Sequence, residues 1–408
     1  MNSWLIKLVS LLMISALWAQ DKALDYRKLE ALVIQHNPDL KALVKKVEAY
    51  GGNVLQVSLR LNPELDFESG AGGDPETVVQ LTQTFELGKK RLKRTRVAEL
   101  ELENTKLSYT IKKLEILKEV RLVFIDILLA QQVINLKKET VVIAEEFLHS
   151  VQTLVKAGRL SPAEAARSQI VLTSQQIELN HAQKNLKNHW RQLASFWGRM
   201  TFDFSWAVGN LDSTITLPPE KLLDLLIDKS PQVVEKNIEI QIQQAVIEVE
   251  QANRIPDITV SAGIIKTDVP ENTYQAGFSI PLQVFNRNQG AIRASNAQMD
   301  QLLEEKSALE ISLRTEVALA YSDLKTISEE IEALKKTILP EANKAYQIIN
   351  DGYLQGKFDF LDVVDAQTIL YEAEENYWVV LSEFQKATAE IEMLLGQPFV
   401  SFMNSTEE

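Results

Sequence analysis

The sequence predicts a mainly α-helical protein with membrane β-structure: long antiparallel coiled-coil helices joined to four strands. Three observations lead there. Lys89 to Ala157 is a run of 69 residues without Gly or Pro, bounded by Gly88 and Gly158. Four short stretches leave the helical period for strict alternation. The whole pattern occurs twice.

Gly and Pro are the residues that most reliably end helices, and the run between Gly88 and Gly158 is rich in Leu, Lys, Glu, Val and Ile. It therefore reads as one helix, 89–157, far longer than the 8 to 20 residues usual in globular domains. At 1.5 Å per residue it would reach roughly 100 Å. The stretch from Asp25 to Arg60 has apolar residues at helical spacing, including Leu29, Leu32, Val33, Leu40, Leu43 and Val47. Its Asn37-Pro38 pair marks a turn or kink. A further helix, 163–196, follows the loop AGRLSP. These two shorter helices together match the long one in length, so they can lie end to end along it.

Between the helices the period changes. In PELDFES, Leu65 and Phe67 alternate with Glu64, Asp66 and Glu68, and after GGDPE, Val79, Leu81, Phe85 and Leu87 alternate with Val78, Gln80, Thr82, Thr84 and Glu86. Two strands of nine to eleven residues around a Gly-rich turn make a hairpin, 62–87. A second hairpin, 256–285, alternates Ile258, Val260, Ala262, Ile264, Tyr274 and Phe278 with Asp257, Thr259, Ser261, Gln275 and Ser279. One apolar and one polar face per strand is the pattern of a membrane barrel with a wet lumen, and equally of a soluble half-buried hairpin. In lipid, no sheet edge can stay open. About eight strands are the fewest that close a barrel, so four per chain require an oligomer, a dimer with eight or a trimer with twelve.

The second half repeats the first at a nearly constant offset. Ser230-Pro231 follows Asn37-Pro38 by 193 residues, Pro256 follows Pro63 by 193, and Gly356 and Gly396 follow Gly158 and Gly198 by 198. Such offsets indicate internal duplication. The expected organisation is a signal peptide, 1–19; a first repeat, 20–210; a second repeat, 211–400, with its long helix at 291–351 and its last helix at 359–395; and a tail, 401–408.

Composition narrows function. The net charge of −13 argues against nucleic-acid binding. Cysteine is absent, which removes disulfides, thiolate metal sites and any lipid-anchoring thiol. After the signal segment no stretch is apolar enough for a transmembrane helix. His36, His149, His181 and His189 show no paired ligand spacing, and no nucleophile elbow, phosphate loop or zinc motif appears, so no enzyme, cofactor or metal centre is expected. The run KKRLKRTR, Lys89 to Arg96, packs six cations at a helix start, where the macrodipole disfavours them. Lipid phosphates below a membrane strand, or water, would balance them.

Two segments carry a resemblance. GYLQGKFDFLDVVDAQTIL, Gly352 to Leu370, and IPLQVFNRNQGAIRAS, Ile280 to Ser295, together with the repeated helix, hairpin, long helix, tip and helix, resemble the TolC-like outer-membrane efflux family and its CzcC-type heavy-metal branch. The resemblance covers essentially the whole chain after residue 19. It implies a homotrimer with a 12-stranded barrel in outer-membrane lipid and a helical periplasmic tunnel. It also implies a periplasmic adaptor and an inner-membrane RND-type transporter as partners, with passive export of heavy-metal cations as the function. A drug or protein export channel and a pore-free periplasmic coiled-coil scaffold are the alternatives.

By the motif match, Asp362 and Asp365, three apart on one helix face, correspond to acidic rings at the periplasmic aperture. Three copies of each would favour cations at a constriction. An exposed acidic helix turn would look the same. Tyr353 and Glu164 match positions of gate-closing contacts. Phe358 stands where well-known members carry Arg, which replaces an Arg latch with apolar contact. Gly158, Arg159, Leu160 and Ser161, with Gly356, Lys357 and Phe358, form the two tips that the resemblance assigns to adaptor docking. As plain chemistry they are helical-hairpin turns using Gly as a left-handed cap. Glu64, Asp66, Glu68, Glu86 and Asp257 are the expected lumen-facing acids.

Overall fold

Asp25 opens the first helix, α1 (Tyr26–His36), by accepting a hydrogen bond from Lys28 N at 2.8 Å. Asn37 then separates α1 from α2 (Pro38–Ser58). Its side chain accepts from Leu40 N at 3.0 Å and donates to Phe196 O at 2.8 Å. The helix expected from Asp25 to Arg60 is thus two helices, because the residue before proline is driven out of the helical region.

The computed structural model describes residues 23–70, 76–213, 217–266 and 273–399. The expected signal peptide, the C-terminal tail, residues 71–75 of the first hairpin and residues 267–272 of the second lie outside the described residues. The remaining elements are β1 (Ala23–Asp25), β2 (Glu64–Ser69), β3 (Thr77–Phe85), α3 (Lys90–Lys156), α4 (Pro162–Ser195), β4 (Trp206–Val208), α5 (Glu220–Leu226), α6 (Pro231–Ala252), β5 (Ile258–Lys266), β6 (Thr273–Ser279), α7 (Gln289–Ala333), α8 (Leu339–Leu354) and α9 (Phe360–Leu395). No described helix is long and apolar enough to cross a membrane. The chain divides into two units, each drawing on both sequence repeats.

The first unit, 1–41, 112–226 and 313–408, is mainly helical among its described residues, with a short parallel pairing of β1 with β4. In α9 the buried residues Phe360, Val363, Ala366, Leu370, Ala373, Tyr377, Val380 and Phe384 recur every three or four positions, the spacing of a coiled-coil seam. Trp190 of α4 is fully buried, stacked on Phe202 at 5.8 Å. Ion pairs tie α9 to α3: Arg121 with Glu392, Lys137 with Glu375 at 2.7 Å, and Lys386 with Asp126 at 2.5 Å. Leu172 of α4 packs on Ala144 and Leu148 of α3.

The expected second long helix is not regular. Between α7 and α8, Leu334–Ile338 forms a π-helical turn. Pro340 is the cause, since it has no N–H for the Lys336 carbonyl and its ring crowds that turn. Lys335 in the turn reaches Asp212 at 3.3 Å, and Tyr377 donates to the same carboxylate at 2.8 Å.

The second unit, 42–111 and 227–312, holds a four-stranded antiparallel sheet in the order β2-β3-β5-β6. Leu65 pairs with Leu81, Phe67 with Val79, Val79 with Ile264, Leu81 with Ala262, Val260 with Phe278 and Ile264 with Tyr274. Partners in a ladder share a face, so this register gathers most of the apolar residues of the four strands on one side, with the Val78–Ile265 pair on the other. The other side carries Glu64, Asp66, Gln80, Thr82, Thr84, Thr259, Ser261 and Gln275, with Thr84 and Thr259 hydroxyls 3.0 Å apart and Gln275 donating to Gln80 at 3.0 Å. Central β3 and β5 reach nine residues, whereas β2 has six and β6 seven, shorter than expected. Both are edge strands, paired along one side only, and Pro281 lies just beyond β6.

Candidate functional site

The tips are built by one backbone device used twice. Gly158 and Gly356 both take positive φ, 70° and 75°, which a side chain disfavours. Arg159 N donates to Leu154 O at 2.9 Å and Gly158 N to Val155 O at 3.0 Å; Lys357 N donates to Gly352 O at 2.8 Å and Gly356 N to Tyr353 O at 2.9 Å. These are Schellman motifs, and each is followed by a capped helix start. Ser161 caps α4 by accepting from Ala163 N at 3.2 Å, and Asp359 caps α9 by accepting from Leu361 N at 2.9 Å and Asp362 N at 3.2 Å.

A cavity of about 530 Å3 opens at the two tips, walled by Arg159, Glu164, Arg167, Tyr353, Phe358 and Phe360. Glu164 Oε1 lies 3.4 Å from Arg167, while its Oε2 and the Tyr353 hydroxyl are buried without a hydrogen-bond partner among the described residues. Burial, and then the charge of Glu164, push the Tyr353 hydroxyl pKa up. The Tyr353 ring packs on Phe147 at 5.6 Å, and Phe147 packs on Phe360 at 5.2 Å. Phe358 lies against Gly352.

The four positions read as one aperture fall into two pairs. Tyr353 and Glu164 share the tip cavity. Asp362 and Asp365 are exposed on α9 and do not line it. Asp362 is engaged locally: its Oδ2 accepts from Asp359 N at 2.9 Å, completing a capping box. The Asp-x-x-Asp spacing at the helix start was the available signal for that role. Asp365 has no such bond among the described residues.

The strand acids also divide. Glu64, Asp66 and Glu68 are exposed on β2, on the polar face, with Asp66 accepting from Thr82 at 3.4 Å. Glu86 and Asp257 are neutralised at the base of the sheet. Glu86 pairs with Arg94, and Asp257 takes Lys90 Nζ at 2.7 Å and Leu87 N at 3.1 Å. The basic run therefore balances two of its own cations on strand carboxylates. Alternation along one strand carries no signal of such partners, which lie 8 and 167 residues away. Among the described residues no group of three or more His, Asp or Glu is arranged to hold a metal ion.

Comparison with known proteins places these features in a family. The family model described as outer membrane efflux protein matches twice, over residues 30–199 and 222–397. The chain is 30% identical over 370 residues to the cobalt-zinc-cadmium resistance protein CzcC of Cupriavidus metallidurans, covering 90% of this chain and 88% of that one. It is 23% identical over 297 residues to the nickel-cobalt-cadmium resistance protein NccC of Alcaligenes xylosoxydans xylosoxydans, covering 69% and 67%. Its fold is similar to the crystal structure of CusC, with a TM-score of 0.78 at 16% identity, covering 91% and 92%. Members of this family are trimeric outer-membrane channels of tripartite efflux systems, not enzymes. With the family model matched across both halves and a relative this similar along nine-tenths of its length, the chain belongs to the outer membrane efflux proteins.

Proposed function

We propose that the chain, as a homotrimer, is the exit duct of a tripartite efflux system through which heavy-metal cations leave passively. A periplasmic adaptor and an inner-membrane RND-type transporter would deliver them. The observation that carries this reading is the sheet register: four strands put most of their apolar residues on one face, and β2 and β6 have no further strand partner among the described residues. Lipid tolerates such a sheet only when its edges are closed. Three copies, four strands each, close a barrel of twelve. The names of CzcC and NccC, both metal-resistance proteins, support the cargo.

Each repeat, 20–210 and 211–400, supplies one hairpin and one tip. Glu64, Asp66 and Glu68 face the lumen, and outer-membrane lipid covers the apolar face. Asp362 and Asp365 form the acidic aperture, and Tyr353 with Glu164 holds its closed contact. Gly158, Arg159, Leu160, Ser161, Gly356, Lys357 and Phe358 present the tips to the adaptor.

Removing the protein from its host should raise cellular cobalt, zinc and cadmium at a fixed external dose. Unchanged metal content alongside raised retention of organic drugs would transfer the reading to a drug duct.

A further inference from the structure

Three arginines, Arg254, Arg287 and Arg293, line one cavity of about 580 Å3 together with Val284, Phe285 and Ile292. The register puts this cavity at one end of the sheet. Arg254 precedes β5 and Val284 follows β6, and Thr259 near the start of β5 pairs with Ser279 at the end of β6.

The segment is held by amides. Asn288, at a φ of 58°, donates to Glu250 O at 2.8 Å and to the Glu250 carboxylate at 2.5 Å. Gln289 accepts from Arg287 N at 2.8 Å and donates to Phe285 O at 3.2 Å, and Gln283 donates to Asn253 O at 3.1 Å. The RNQG sequence is thus a clasp that, among the described residues, engages the Arg287 backbone N–H and not its guanidinium. Glu250 is engaged by Asn253 as well, at 3.3 Å, and among the described residues none of the three arginines has a carboxylate at ion-pair distance. At the same end of the sheet, by contrast, Lys90 and Arg94 have Asp257 and Glu86.

Gathering three unpaired cations costs electrostatic energy unless an anion joins them. Beside them, Phe285 is 92% exposed, Leu282 84% and Val284 58%. Large apolar side chains next to unpaired guanidiniums, where strands end, suit acyl chains on one side and phosphates on the other. Guanidinium also matches phosphate geometry with paired hydrogen bonds.

We propose that this cavity binds the phosphate of an anionic phospholipid headgroup, in the leaflet that meets this end of the sheet. The inference rests on the reading of the strands as membrane-spanning. It is tested with the full-length protein reconstituted in vesicles of mixed phosphatidylglycerol and phosphatidylcholine, then extracted in detergent, with retained lipid read by native mass spectrometry. Wild type should keep phosphatidylglycerol in clear excess. The excess should fall about fivefold for each arginine replaced in R254Q/R287Q/R293Q, a loss set by the attraction of one basic side chain to an anionic surface. If the triple variant does not fold, R293Q alone, with heat-modifiable mobility intact, should show the single step. An unchanged lipid ratio in a folded variant overturns the proposal. So does full displacement by inorganic phosphate at the lipid's own concentration, which would assign the cavity to a free anion. Urea-resistant insertion with no headgroup preference overturns the headgroup site alone, whereas wild type that urea strips from vesicles overturns the membrane strands.

Discussion

The ring of Phe358 covers Gly352 so closely that a Cβ on Gly352 would collide with ring Cδ2. Alanine at 352 must therefore displace an aromatic ring at the second tip. G352A should destabilise the helical tip by about 1 to 3 kcal/mol, the usual cost of overpacking. F358A should relieve it, so the double variant should cost less than the two single changes together. Thermal unfolding followed by circular dichroism measures the cycle. Strictly additive costs would mean that the ring is free to leave.

Asp257 joins three things at the base of the sheet: Lys90, the Leu87 N–H and the start of β5. The Lys90 side chain is only 9% exposed. D257N leaves that ammonium nearly buried without its counter-charge and should cost about 3 kcal/mol. K90M/D257L, which removes both charges, should recover much of the loss. Urea unfolding of the two variants decides it. A mild loss in D257N beside a large one in K90M/D257L would mean that the N–H cap, which Asn can still accept, and not the ion pair, carries the effect.

Asp362 and Asp365 should separate in mutants although they sit three apart. Asp362 closes the capping box with Asp359, so D362N should weaken the start of α9 by up to about 1 kcal/mol while also removing charge. D365N removes an exposed charge and should leave thermal stability unchanged. If the acids line the aperture, D365N alone should lower cation selectivity in planar-bilayer reversal potentials. A reversal potential identical to wild type would turn Asp365 away from the pore.

Glu374 of α9 should make stability depend on pH. Burial, and then the charge of Glu139, hold its carboxyl above the ordinary value of 4.5. The folded chain thus keeps this proton to higher pH than the unfolded chain does. Its contribution is complete below about pH 4.5 and is lost as pH rises through the raised value. E374Q should therefore melt at a higher temperature than wild type near neutrality and show no such gain at pH 4. Melting curves at the two values test it, and a gain of equal size at both would exclude titration as the cause.

The sequence by itself determined the element types. The run without Gly or Pro became α3, Lys90–Lys156, within one residue of each expected end. The alternation became strands, and the two glycines at the tips took left-handed backbone. These are local properties: helix and strand periods, and the freedom of Gly at positive φ, act over a few residues and can be read in a few residues. Tertiary structure alone decided which groups meet. It joined β3 to β5 across the two repeats, spent Lys90 and Arg94 on Asp257 and Glu86, put Tyr353 and Glu164 on one cavity, and laid Phe358 on Gly352. The π-helical turn before Pro340 is, by contrast, a local effect of one missing N–H in an otherwise unbroken helical pattern. Contacts between residues such as Lys90 and Asp257, 167 positions apart, arise only after the intervening chain has folded back, and no local period carries that distance.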